Sequence, residues 1–154
     1  MISTPSRTPP QSANEANQRL VADLDRLHRI VGEEIGGHEA EWARNFADAL
    51  LRVQLSFWRH RGDERAPEEG VLSEVDSTVP TLARHADEVR DEHDRLLAQV
   101  ISLREDAQRT LFYCANLESL RERGQRMWSE LEKNRLAELD LVLDSMNTDI
   151  GVGD

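Results

Sequence analysis

The segment from His38 to Arg61 reads HEAEWARNFADALLRVQLSFWRHR. Its apolar residues Trp42, Phe46, Leu50, Val53 and Phe57 recur every three or four positions, and the series runs on to His60. That spacing gathers side chains along one face of an α-helix, whereas a strand would alternate them between two faces. At about 1.5 Å per residue the helix is roughly 35 Å long. A dry stripe of that length needs partners of similar length to cover it.

Those partners lie on both sides of the segment. Upstream, Leu20, Leu24, Leu27 and Val31 form a second stripe, with Val21, His28 and Ile35 beside it, which predicts a helix over 15–35. Gly36-Gly37 is expected to stop it, because glycine adopts the left-handed conformation that ends helices at little steric cost. So short a break implies an antiparallel neighbour. Downstream, the polar stretch GDERAPEEG from Gly62 to Gly70 closes the first half, and a short helical turn is expected around Val71 to Val75. Pro80 opens a third helix, where a missing N–H costs nothing, and Leu82, Val89, Leu96, Val100 and Leu103 make its stripe. Neither glycine nor proline marks the next turn, which charge density and length place at Arg104 to Arg109. The fourth helix presents Leu117, Leu120, Met127, Leu131, Leu141 and Met146, is interrupted by Gly124, and runs to Gly151.

Four amphipathic helices joined by short links predict an all-α fold, an antiparallel up-down four-helix bundle formed as one domain by residues 15–154. Residues 1–14 carry Pro9-Pro10 and no periodicity, so they read as a disordered lead-in. No repeat of 34–47 residues supports a solenoid. The composition agrees: of 154 residues 38% are apolar and 32% charged, with five prolines and eight glycines, which suits long helices better than a turn-rich β fold.

A formal charge of −11 repels a phosphate backbone and argues against nucleic acid as a partner. No apolar run is long enough to span a bilayer and no hydrophobic signal core opens the chain, so the expected protein is soluble and cytoplasmic, without a membrane partner. Cys114 is the sole cysteine, which excludes an intrachain disulfide and a cysteine-based zinc cluster. Trp42, Trp58 and Trp128 read as packing residues and His85 as a solvated helix residue.

Polar residues interrupt the stripes in a pattern that repeats between the two halves. His28 stands on the first helix and His60 with Glu64 at the end of the second; His93 stands on the third and Asn134 with Glu138 on the fourth. A four-residue spacing puts both members of a pair on one helical face. Helical bundles bind metal by pointing imidazoles and carboxylates inward from facing helices, the carboxylates neutralising the ions. The plain alternative is that histidine at a stripe edge is amphipathic and ends half-exposed.

The stretches GVLSEV (Gly70–Val75), PTLARHADEVRDEH (Pro80–His93), EHDRLL (Glu92–Leu97) and DLVLDSMNTDIGVGD (Asp140–Asp154) carry a wider likeness. From Leu20 to Asp154 the chain resembles the hemerythrin-like, or HHE cation-binding, family, whose two helix pairs each show a histidine followed by His-x-x-x-Glu. The resemblance implies one or two iron ions held for oxygen binding, redox sensing or iron handling, with His28, His60, Glu64, His93 and Glu138 as metal residues. The chain departs from the family pattern at Asn134, which stands where the second His-x-x-x-Glu begins, and at Val89, four residues before His93. Gly62 can also fray the helix before Glu64. A different class of function is a metal-free helical interaction module that docks a protein partner or a second copy. Beyond the same residues nothing forms a nucleophile or base constellation, so enzymatic chemistry has no separate support.

Overall fold

The computed structural model describes residues 11–61, 72, 75, 78–110 and 116–151. Four helices account for nearly all of them: α1 (Gln11–Gly32), α2 (Glu39–Arg61), α3 (Pro80–Arg109) and α4 (Leu117–Gly151). Each packs on its neighbours in the chain, and α4 closes the ring against α1, so the chain is a four-helix bundle. Cross-helix pairs fix the antiparallel order. Along α1 and α2, Asp23 meets Ser56, Arg26 meets Asp48 at 2.9 Å, and the Trp42 indole N–H donates to the Ile30 carbonyl at 2.9 Å. Along α3 and α4, the Asn134 amide donates to the Val89 carbonyl and Arg123 pairs with Asp106 at 2.8 Å.

The stripes meet as their spacing requires. Leu20, Leu27, Phe46, Leu50, Val53, Leu96, Val100 and Leu131 are wholly enclosed in one cluster. Each such side chain contributes about 1.5–3 kcal/mol relative to leaving it in water. A smaller cluster of Leu72, Val75, Leu82, Ala86 and Leu141 caps the end of the bundle where α2 stops and α3 begins. None of the helices described is long and apolar enough to cross a membrane.

Several boundaries differ from the sequence reading. Helix α1 begins at Gln11, so residues 11–14 of the expected lead-in are helical; no proline lies between Gln11 and Gly32 to prevent it. The same helix stops at Gly32, before the Gly36-Gly37 pair, because Ile35 leaves the helix to bury itself and the turn falls at Gly37, whose φ of 83° belongs to the left-handed region. Helix α3 continues through 104–109, where a turn was expected. Ala107 extends the dry stripe there, and Asp106 and Glu105 pair with Arg109. The next helix starts instead on Asn116, whose side chain accepts from the Ser119 N–H at 3.2 Å as an N-cap. Met146, expected on the dry stripe, is 57% exposed, since Ser145 takes the inward position.

Gly124 explains its own place in the stripe. A Cβ added there would lie 2.7 Å from the Phe46 ring and 2.9 Å from a Val31 methyl. The missing side chain is the space into which Phe46 reaches from α2. Gly124→Ala is therefore expected to destabilise the fold by about 1–3 kcal/mol through overpacking, reversing the gain of about 1 kcal/mol that alanine gives in an open helix. Leu131→Ala should cost about 2–5 kcal/mol. Urea melts measure both, and a stabilised Gly124→Ala chain would show that α4 does not approach Phe46 so closely.

Candidate functional site

Between the two apolar clusters lies a polar layer. His60 occupies the last turn of α2, His93 precedes Leu96 on α3 by one turn, and Asn134 and Glu138 stand one turn apart on α4 between Leu131 and Leu141. All four are at least 95% buried. They are dry because α2, α3 and α4 place them in their stripes, one step from Phe57, Leu96, Leu131 and Leu141.

Glu138 is the centre of the layer. Its Oε2 accepts a hydrogen bond from His60 Nε2, and its Oε1 lies 3.7 Å from His93 Nδ1. On the far side of that ring, His93 Nε2 donates to the Phe57 carbonyl at 2.9 Å, and the Phe57 ring stacks on the imidazole with 3.6 Å between centroids. A carbonyl only accepts, so a proton of His93 sits on Nε2, while Nδ1 faces the carboxylate and can hold either a second proton or a lone pair there. Burial pushes the Glu138 carboxyl up, but the imidazoles of His60 and His93 outweigh it and hold the group below its ordinary value of 4.5.

Three atoms of this layer have no hydrogen-bond partner in the protein: His60 Nδ1, His93 Nδ1 and Asn134 Oδ1. Each such atom costs about 1–3 kcal/mol if nothing completes it. Gathered in one layer, they are a set of donors and lone pairs suited to a proton or a cation.

Of the residues read as metal ligands, the structure joins His60, His93 and Glu138 and brings Asn134 beside them. His28 is not in the layer. It is exposed on α1 and stacks on Trp128 of α4 at 4.0 Å. The pairings of Arg26 with Asp48 and of Ile30 with Trp42 set it roughly 20 Å along the bundle from His60. The register of Asp23 with Ser56 puts Leu20 at the level of His60, so α1 lends the layer an apolar wall. Glu64 lies outside the described residues. The sequence reading missed Ser56, buried on α2 and hydrogen-bonded to Asp23; its signal was a four-residue spacing from His60. It also missed the Phe57 carbonyl, which no side-chain pattern announces.

These residues do not fit a centre of two ions. Glu138 is the one buried carboxylate among the described residues, an amide stands in place of an imidazole, and His28 is far away. A single ion is a better match, since two imidazoles and one carboxylate with open positions suit a divalent transition metal. Two donors sharing such an ion lie about 3–3.5 Å apart, close to the 3.7 Å between His93 Nδ1 and Glu138 Oε1. Among the described residues no three His, Cys, Asp or Glu side chains already stand around one point in this way. The hydrogen bond from His60 holds the other carboxylate oxygen, and it must open before all three groups can share an ion.

No family model, no curated relative and no solved structure matches the chain.

The carboxyl of Glu138 is held low in the folded chain, so the stability it contributes is present above the unfolded carboxyl's titration and is lost as pH falls through the folded value. Below about pH 4.5 the parent should lose stability with a steeper slope than Glu138→Gln, which has no carboxyl to protonate. Urea melts at a series of pH values measure the two slopes. Parallel slopes would mean that Glu138 is not held by the two imidazoles.

Proposed function

We propose that the chain is a cation-binding bundle of hemerythrin-like design that takes one ion, iron in its ferrous state, between His60, His93 and Glu138. The observation that supports this best is that His93 Nδ1 and Glu138 Oε1 face each other at 3.7 Å in a dry interior. A carboxylate oxygen and an imidazole nitrogen so placed repel unless a positive charge lies between them. A proton on His93 is one such charge and a metal ion is the other.

Each residue has a definite part in this reading. The Phe57 carbonyl fixes the tautomer of His93 and keeps Nδ1 available, the arrangement by which proteins commonly orient an imidazole ligand. Glu138 supplies the negative charge that a divalent ion requires. Asn134 offers its carbonyl oxygen as a weaker donor and anchors its amide on Val89. Leu20, Leu96 and Leu141 keep water from the layer and strengthen every charge interaction inside it. A ferrous ion with three protein ligands and open positions supplies the oxygen-binding or redox chemistry to which the resemblance points. Binding competes with the proton between His60 and Glu138, so uptake should weaken as pH falls.

Protein purified without added metal is expected to carry about one iron per chain, and fewer in Glu138→Gln, by elemental analysis. Asn134→His places an imidazole four residues before Glu138 on the same face and should raise occupancy. At a hundredfold excess over Kd the ion should stabilise the fold by about 2.7 kcal/mol, a gain removed by chelator. Parent and Asn134→His chains that take up no metal, and melt identically with and without ferrous ion, would refute the reading and leave a bundle whose chemistry lies on its surface.

A further inference from the structure

Of the four helices described, α1 alone gives the layer no polar group. At the level of His60 it presents Leu20, which is wholly enclosed. Leu20 is the first large apolar residue of the helix, and before it Glu15, Gln18 and Arg19 are exposed. No acidic residue stands in the first turn to offset the helix dipole. The side-chain ties described between α1 and its neighbours all lie further along it: Asp23 on Ser56, Arg26 on Asp48, His28 on Trp128, the Ile30 carbonyl on Trp42 and the Glu33 carbonyl on Arg121. The loosely held end of α1 is therefore the end that covers the layer.

We infer that water and ions reach the layer past the N-terminal part of α1, which peels away as far as Asp23 and lifts Leu20 off the site while α2, α3 and α4 stay joined around Glu138. The other routes cost more. Separating α2, α3 or α4 at the layer takes His60 or His93 from Glu138 and leaves a buried charge without its partner, which is strongly destabilising. Entry from the end of the bundle displaces the cluster of Leu72, Val75, Leu82, Ala86 and Leu141. Entry past α1 gives up the burial of Leu20 and breaks no described polar contact. Local openings range from almost no cost at fraying helix ends up to the cost of global unfolding, so the least costly one dominates. The bond of Asp23 to Ser56 sets its limit, because beyond it Leu24, Leu27 and the Trp42 indole hold the helix down. The part this opening plays in ion uptake rests on the reading of the layer as an ion site; the exposure of His60 and His93 does not.

Diethyl pyrocarbonate acylates an imidazole only where the ring is accessible, so it reports the opening in the full chain with chelator present and no ion bound. His28, His38 and His85 are exposed and should label at once, whereas the buried His60 and His93 should label in proportion to the open population. Glycine in place of alanine at an exposed helix position lowers the helical population about fivefold without removing a contact. Gln18→Gly should therefore label His60 and His93 about fivefold faster than Gln18→Ala, while Ala98→Gly, on the exposed side of α3, should label them at the parent's rate. Equal acceleration in Gln18→Gly and Ala98→Gly, or none in Gln18→Gly, overturns the inference, since the layer would then open by global unfolding or by another route. Loaded with ferrous ion, the two Gln18 variants should release iron to a chelator at rates that differ by the same factor, and equal rates overturn the part played in ion exchange. A chain that takes up no iron overturns the reading of the layer as an ion site and leaves the labelling to decide the route.

Discussion

A carboxylate moved from water into a protein interior loses several kcal/mol of solvation, which only close partners restore. Glu138 is such a group, and its partners come from two other helices: His60 at the end of α2 and His93 in the middle of α3. The three helices can satisfy it in one register only. A slide of one turn along any of them would move the carboxylate about 5 Å and set it against leucine. Apolar stripes alone tolerate such slides far better, because one leucine is much like the next. The layer thus fixes how α2, α3 and α4 stand against each other, and the two apolar clusters above and below it keep that constraint dry.

The remaining helix is fitted by shape. Helix α1 brings Leu20 to the level of the layer and is tied at its other end by the Trp42 indole on the Ile30 carbonyl and by Arg121 on the Glu33 carbonyl. Near that end Phe46 crosses the interior toward Gly124, where the absence of a side chain lets α4 close against α1 and α2. The functional consequence is asymmetry. Two matching halves in sequence become a layer served by three helices, with one buried carboxylate among the described residues.

On α4, Glu138 points into the layer while Leu139 beside it points outward. Successive residues on a helix are separated by about 100°, so one segment can carry an interior site and an exposed apolar face at once.

Much of this was legible in the sequence, and the limits of that reading have physical causes. Helical period alone gave the four helices and the core residues from Leu20 to Leu131, because burial of a stripe is a property of spacing within one segment. His60, His93 and Glu138 were legible in the same way, each a polar residue at a position the stripe reserved for apolar ones. His28 looked equivalent, yet depth along the bundle depends on how two helices are offset, and no spacing within α1 contains that offset. The turn placed at Arg104 to Arg109 failed because charged residues signal exposure, not a break, and Ala107 carried the stripe onward. Composition and period within single helices therefore determined the fold and nominated the site residues. Which of them meet was decided by the relative height and rotation of the packed helices, set by contacts such as Asp23 with Ser56 and Phe46 with Gly124, whose partners lie tens of residues apart in the chain.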